Sequence, residues 1–129
     1  MNDEATSRKT AGMKKRRQVL GDKHVDRAVA GTNEFNAPFQ SLITEAAWGT
    51  VWSGDHWDDR QRSIVTLALL AGLGHHEELA MHIRATVNTG ASREDIREVF
   101  QHVAIYAGVP AANTAIRIAQ EVFREMDDQ

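Results

Sequence analysis

Cysteine is absent from this 129-residue chain, which removes disulfides, thiolate nucleophiles and cysteine-bound zinc from the chemistries open to it. Proline occurs only twice, and no stretch alternates apolar and polar residues with the period of a strand, so sheet architectures lack their main signal. Positive charge is not in surplus. Lysine and arginine number 15 against 18 aspartates and glutamates, for a formal charge of -3, which leaves no electrostatic footprint for nucleic acid. Long apolar runs are missing too. The longest, Ile64–Leu73, is interrupted only by Thr66 and Gly72, and it falls short of the roughly 20 residues that span a bilayer, so no membrane partner is expected. The opening MNDEATSRKTAG carries no apolar stretch and is not expected to act as a signal peptide. Together with the missing cysteine, this fits a cytoplasmic protein.

What is present reads as helix. The length predicts one domain over 1–129, with about 1–15 as an N-terminal arm. Glu4–Leu20 is compatible with a helix that Gly21 and Asp22 end, and its KKRR run at 14–17 reads as a solvated face or frayed arm. Val25, Val29, Phe35, Phe39, Leu42 and Ile43 give helical spacing between His24 and Trp52. After a loop at Ser53–Asp55, a helix over about 58–72 carries the Ile64–Leu73 run. A helix apolar on nearly every side is expected deep in a core, and subunit association is the simplest way to cover it. Gly74 marks a break. The next helix runs over about 76–89, with Gly90 as its left-handed terminator. Ser92 and Asp95 then have capping-box spacing, and Ile96, Val99, Phe100, Val103 and Ala107 form the stripe of a helix that completes a hairpin. Pro110 suits the first turn of a last helix whose Ile116, Ala119, Val122, Phe123 and Met126 are expected to face inward. The fold class is all-α.

Candidate chemistry lies on the polar residues of these helices. Glu78 and His82 are four apart and share a helical face, which allows a carboxylate to fix a ring tautomer and raise its basicity. The same spacing also suits an interfacial histidine bonded to a carboxylate purely for packing. His75, Glu78 and His82 are strung over two turns without an HExxH pattern, so no metal site is expected. Arg62 or Arg84 could clamp a carboxylate with two hydrogen bonds, or each could form a surface ion pair. Trp48 and Trp52 are four apart with Glu45 a turn earlier, an arrangement that serves a small apolar pocket or plain core packing equally well.

Several stretches carry a family resemblance. EELAMHIRATVNTGASREDIREV with its YAGVPAAN tail is similar to the alkylhydroperoxidase D-like superfamily. RRQVLGDKHVDRA at 16–28, FNAPFQSLITEAAWGTVW at 35–52 and RSIVTLALLAG at 62–72 resemble one branch of it, the carboxymuconolactone decarboxylase family. The resemblance runs from about 16 to 123. It implies an alkylhydroperoxidase D-like helical bundle with a central hairpin and a ring-like homo-oligomer, a hexamer or trimer. The redox members of the superfamily place a CxxC pair before the helical histidine. Here those positions are His75 and Glu78, so peroxidase chemistry has no nucleophile.

The implied reaction is loss of carbon dioxide from 4-carboxymuconolactone, a lactone dicarboxylate, to give β-ketoadipate enol-lactone in protocatechuate catabolism. The departing carboxylate sits on the carbon γ to the lactone carbonyl across a conjugated double bond. The substrate is therefore its own electron sink, and no cofactor is expected. On this resemblance His82 is the candidate general acid, Glu78 its orienting partner and Arg62 the holder of the acetate carboxylate or the developing oxyanion. Trp48 and Trp52 would wall the site, with Glu45 and Arg84 as further substrate contacts.

Two departures stand out. Family members carry a basic residue and a ProGlyLeu-like turn after Trp52 and Ser53, where this chain has GDHWDD at 54–59, and Ala107 stands where cysteine is frequent. The altered loop leaves room for another lactone or acid as substrate, for a cofactor-free isomerase, or for a non-catalytic oligomeric scaffold.

Overall fold

Residues 2–129 are described in a computed structural model, with side chains for residue 4 and residues 7–129; residue 1 of the expected arm lies outside the described residues. Among these residues every regular element is helical, and no helix is long and apolar enough to cross a membrane. The chain divides into two compact units, residues 1–58 and 59–129.

The first unit contains α1 (Asn2–Leu20), α2 (Asp22–Ala30), α3 (Ala37–Ile43) and a π-helical stretch, Thr44–Val51. Most of the expected arm is thus part of α1. Gly21 separates α1 from α2 at φ 90°, a left-handed conformation that a side chain would strain. α3 runs without a break into the π-helix, which the Trp52 N–H closes by donating to the Ala47 carbonyl at 2.8 Å. Two hydroxyls reinforce this wider winding over the same five-residue span. Thr50 Oγ1 donates to the Glu45 carbonyl at 3.0 Å, and Ser53 Oγ to the Trp48 carbonyl at 2.6 Å.

Within this unit α1 packs on the π-helix backbone to backbone. A Cβ at Gly12 would strike the Thr44 carbonyl, and one at Gly49 would strike the carbonyls of Arg8 and Thr44. The KKRR run is not uniformly solvated. Arg17 pairs with Asp26 at 2.8 Å and Asp22 at 3.1 Å near the surface, but Arg16 is buried against the π-helix, because the face of α1 that carries Gly12 also carries the residue one turn later. Val25 is buried as a helical stripe requires, whereas Val29, Phe35, Phe39 and Leu42 are exposed.

The second unit comprises α4 (Asp59–Leu73), α5 (His76–Arg84), the short α6 (Thr86–Thr89), α7 (Arg93–Tyr106) and α8 (Val109–Asp127). α5 and α7 each pack on both α4 and α8. The apolar cluster is built from Leu67 and Ala71 of α4, Leu79 and Ile83 of α5, Ile96, Val99, Phe100 and Val103 of α7, and an inner face of α8. Each fully buried large side chain in it contributes about 1.5–3 kcal/mol.

Punctuation in this unit follows the expected chemistry. Gly74 and Gly90 adopt φ 78° and 87°. Ser92 Oγ accepts from the Asp95 N–H at 3.0 Å while Asp95 Oδ2 accepts from the Ser92 N–H at 2.9 Å, so the capping box is complete. Ala107 lies outside the stripe of α7, exposed at the helix end, since the chain leaves helical geometry at that residue. Ile116 is likewise exposed. The inner face of α8 uses Ala112, Ala115, Ile118, Ala119 and Val122, with Phe123 and Met126 packed beside them. α4 is buried on one side only: Leu67 and Ala71 point inward, while Val65, Leu69 and Leu73 form an exposed stripe at four-residue spacing.

Candidate functional site

In the second unit His82 occupies a core position. Leu79, His82, Ile83 and Thr86 are all buried, the i, i+3, i+4, i+7 set of one helical face, and His82 is only 7 % exposed. An ionisable ring thus sits where an aliphatic residue would ordinarily stabilise the fold by burial. Its Nδ1 is one of three buried side-chain atoms that make no hydrogen bond among the described residues, the others being Ser63 Oγ and Arg16 Nε; His82 as a residue is nonetheless not without a partner.

Glu78 lies one turn back, exposed in the first turn of α5, where a carboxylate suits the positive helix terminus. Among the described residues no hydrogen bond runs from it to Nδ1 of His82. Arg62 stands half-buried in the first turn of α4, next to the wholly buried Ser63. Arg84 is committed elsewhere: its Nη2 lies 3.1 Å from Glu125 Oε2, in an ion pair whose side chains are 51 % and 55 % exposed. His75, His76 and His102 are exposed, and His102 Nδ1 lies 3.3 Å from the Glu98 carbonyl of its own helix.

Arg60, the other arginine at the start of α4, holds Asp95 with two hydrogen bonds of 2.6 and 2.9 Å. The Arg60 guanidinium, followed by the Ser92 backbone N–H, lowers the Asp95 carboxyl from 3.8 to about 2. This carboxylate is therefore charged and fully used in tying the start of α7 to α4.

In the first unit Trp48 and Trp52 are both buried on the π-helix and its end, with ring centroids 5.2 Å apart and planes tilted by 33°. Glu45, in the first turn of the same element, is half-buried. A groove of about 260 Å³ runs past Trp52 between Lys14, Lys15 and Gln18 of α1 and the Ser53–Gly54 turn.

Sequence reasoning missed Arg16 in this unit. Arg16 is 6 % exposed, its Nη1 donates to Thr44 Oγ1 at 3.5 Å, and its Nε makes no hydrogen bond among the described residues. Burial lowers its pKa below the ordinary arginine value. The available signal was its position one turn after Gly12, on the face of α1 that approaches the π-helix.

Comparison with known proteins adds to this geometry. The carboxymuconolactone decarboxylase family model matches residues 37–121. The chain is 44% identical over 126 residues to a 4-carboxymuconolactone decarboxylase of Acinetobacter baylyi, covering 98% of this chain and 92% of that one. It is 40% identical over 118 residues to a nitrosuccinic acid decarboxylase of Metarhizium robertsii, covering 92% and 82%. A shorter match, 56% identical over 39 residues, links it to a 4-carboxymuconolactone decarboxylase of Pseudomonas putida, covering 30% and 81%. With a family model spanning most of its length and a relative aligned almost end to end, the chain belongs to the carboxymuconolactone decarboxylase family.

Proposed function

We propose that this protein decarboxylates 4-carboxymuconolactone to β-ketoadipate enol-lactone without an added cofactor. The observation that carries the reading is the 44% identity to a decarboxylase of that substrate across nearly the whole chain. As the carboxylate leaves, its bonding electrons pass through the ring alkene into the lactone carbonyl and form a dienolate; a proton then adds at the α carbon. The protein must tolerate charge on the lactone oxygen and supply that proton.

In the second unit His82 is the general acid in this reading. A ring held on a packed helical face is preorganised for proton delivery, an effect worth about 10² to 10⁴ in rate. Arg62 supplies positive charge for the carboxylate arm or the oxyanion, and Glu78 is a carboxylate one turn from the ring. In the first unit Trp48 and Trp52 are apolar wall residues, with Glu45 beside them. The exposed Arg84–Glu125 pair gives no support to a substrate role for Arg84. Self-association belongs to the same reading, because the exposed Val65, Leu69 and Leu73 stripe on α4 needs cover.

Nitrosuccinic acid is the second reading, favoured by the 40% identity to its decarboxylase. The two substrates share a plan. Each loses a carboxylate from a carbon whose electrons flow into an oxygen-terminated acceptor, a lactone carbonyl in one and a nitro group in the other. Each keeps a CH2–COO⁻ arm. The test is to supply both acids separately to the purified protein and follow carbon dioxide. Faster release from 4-carboxymuconolactone is expected; release from nitrosuccinic acid alone would move the assignment to the second substrate.

A further inference from the structure

We propose that Arg16 holds the retained CH2–COO⁻ arm of the substrate, at a carboxylate-binding site that Arg16 and Thr44 form in the first unit. This rests on the decarboxylase reading, names a residue for the part of the substrate that does not react, and leaves Arg62 to the developing oxyanion alone.

A guanidinium buried to this degree ordinarily has a carboxylate beside it, because an uncompensated buried charge costs several kcal/mol. Arg16 has none among the described residues. Its one side-chain hydrogen bond among the described residues is the 3.5 Å contact to Thr44 Oγ1, a neutral hydroxyl that itself donates to the Gln40 carbonyl at 2.7 Å. Nε is buried and makes no hydrogen bond among the described residues. Nε–H is half of the two-pronged edge with which arginine grips a carboxylate, so the donor left over is the one that such a ligand would use.

The position is rigid. One turn earlier on the same face, Gly12 brings the backbone of α1 against the Thr44 carbonyl so closely that no Cβ fits, and Arg16 cannot withdraw from the π-helix without breaking that contact. A fixed cation of this kind binds a spectator carboxylate well. On the departing carboxylate it would be counterproductive, since stabilising a charge that must disappear raises the barrier. The retained arm, common to 4-carboxymuconolactone and nitrosuccinic acid, is therefore the ligand.

The experiment uses Arg16→Met, Arg16→Lys and Thr44→Val in the full chain. Succinate is the binding probe in thermal shift, and KM for 4-carboxymuconolactone is measured alongside it. Succinate should raise the Tm of the unaltered protein but not that of Arg16→Met, whose ligand-free Tm should equal or exceed the original because a buried charge has been removed. KM should rise about 10²-fold or more in Arg16→Met, with Arg16→Lys and Thr44→Val in between. Should Arg16→Met not fold, unchanged KM in both Arg16→Lys and Thr44→Val overturns the proposal. An undiminished succinate shift and unchanged KM in Arg16→Met also overturn it. So does a lower ligand-free Tm with a smaller particle in gel filtration and the same KM, which would assign the guanidinium to a carboxylate of a second copy. If the unaltered protein binds succinate through Arg16 yet releases no carbon dioxide, the carboxylate site stands and the decarboxylase reading falls.

Discussion

Residues 59–129 bury a contiguous apolar cluster drawn from α4, α5, α7 and α8, whereas among the described side chains of the first unit the buried set is Val19, Val25, Trp48 and Trp52 together with Gly12, Thr44 and Arg16. One unit gains its stability mainly from side-chain area. The other depends on two backbones that touch where glycine permits it, with a charge enclosed one turn away. A packed apolar core tolerates conservative change and fails when volume is removed. A glycine contact fails when volume is added. The difference also separates roles: the apolar unit presents its one buried histidine from a stable scaffold, while the unit with little apolar interior encloses the arginine.

Removing volume from the apolar unit should have the largest effect. Phe100→Ala deletes a wholly buried ring at the centre of α7 and should lower unfolding free energy by about 3–5 kcal/mol in urea titration. Adding a single methyl in the other unit should come close to it. Gly49→Ala places a carbon against the carbonyls of Arg8 and Thr44 and should cost about 3 kcal/mol, with faster amide exchange in α1 and the π-helix. A tolerated Gly49→Ala would remove the distinction between the units.

Next in size is Asp95, where Asp95→Ala removes both the capping box and the Arg60 pair and should cost about 1–2 kcal/mol. Its folded pKa of about 2 lies below the ordinary 3.8. Its carboxylate therefore stabilises the fold fully above that ordinary value, and the contribution is lost as pH falls toward 2. Acid titration of the variant should be flatter than that of the unaltered protein in this window. Arg84→Ala should be the smallest change, within about 0.5 kcal/mol, because its pair with Glu125 is solvent-exposed.

Legibility in the sequence followed the same division. Gly21, Gly74, Gly90 and the Ser92–Asp95 box mark helix ends through local geometry that needs no tertiary information, and all four are where the spacing placed them. The α7 stripe was legible up to Val103 because large apolar residues recur at helical spacing. α8 was harder: Ala112 and Ala115 of its inner face are small and give a weak apolar signal, whereas the larger Ile116 that the spacing pointed to is exposed. The helical spacing of Trp48 and Trp52 brought them together, but the π winding depends on i→i−5 bonds that no periodicity reveals. Glu78 and His82 share a face by spacing, yet the helix start leaves one in solvent and the other in the core. Arg16 was illegible because a basic neighbour on each side makes the run look solvated, and only the Gly12 approach shows which of the four cations turns inward.

The most direct measurement is made on protein dialysed against chelator and supplied with 4-carboxymuconolactone in D2O, with carbon dioxide and enol-lactone followed together. The account predicts rapid, stoichiometric release of carbon dioxide with one deuterium at the α carbon of the product. Folded protein that releases no carbon dioxide, or that does so only when metal is restored, would contradict it.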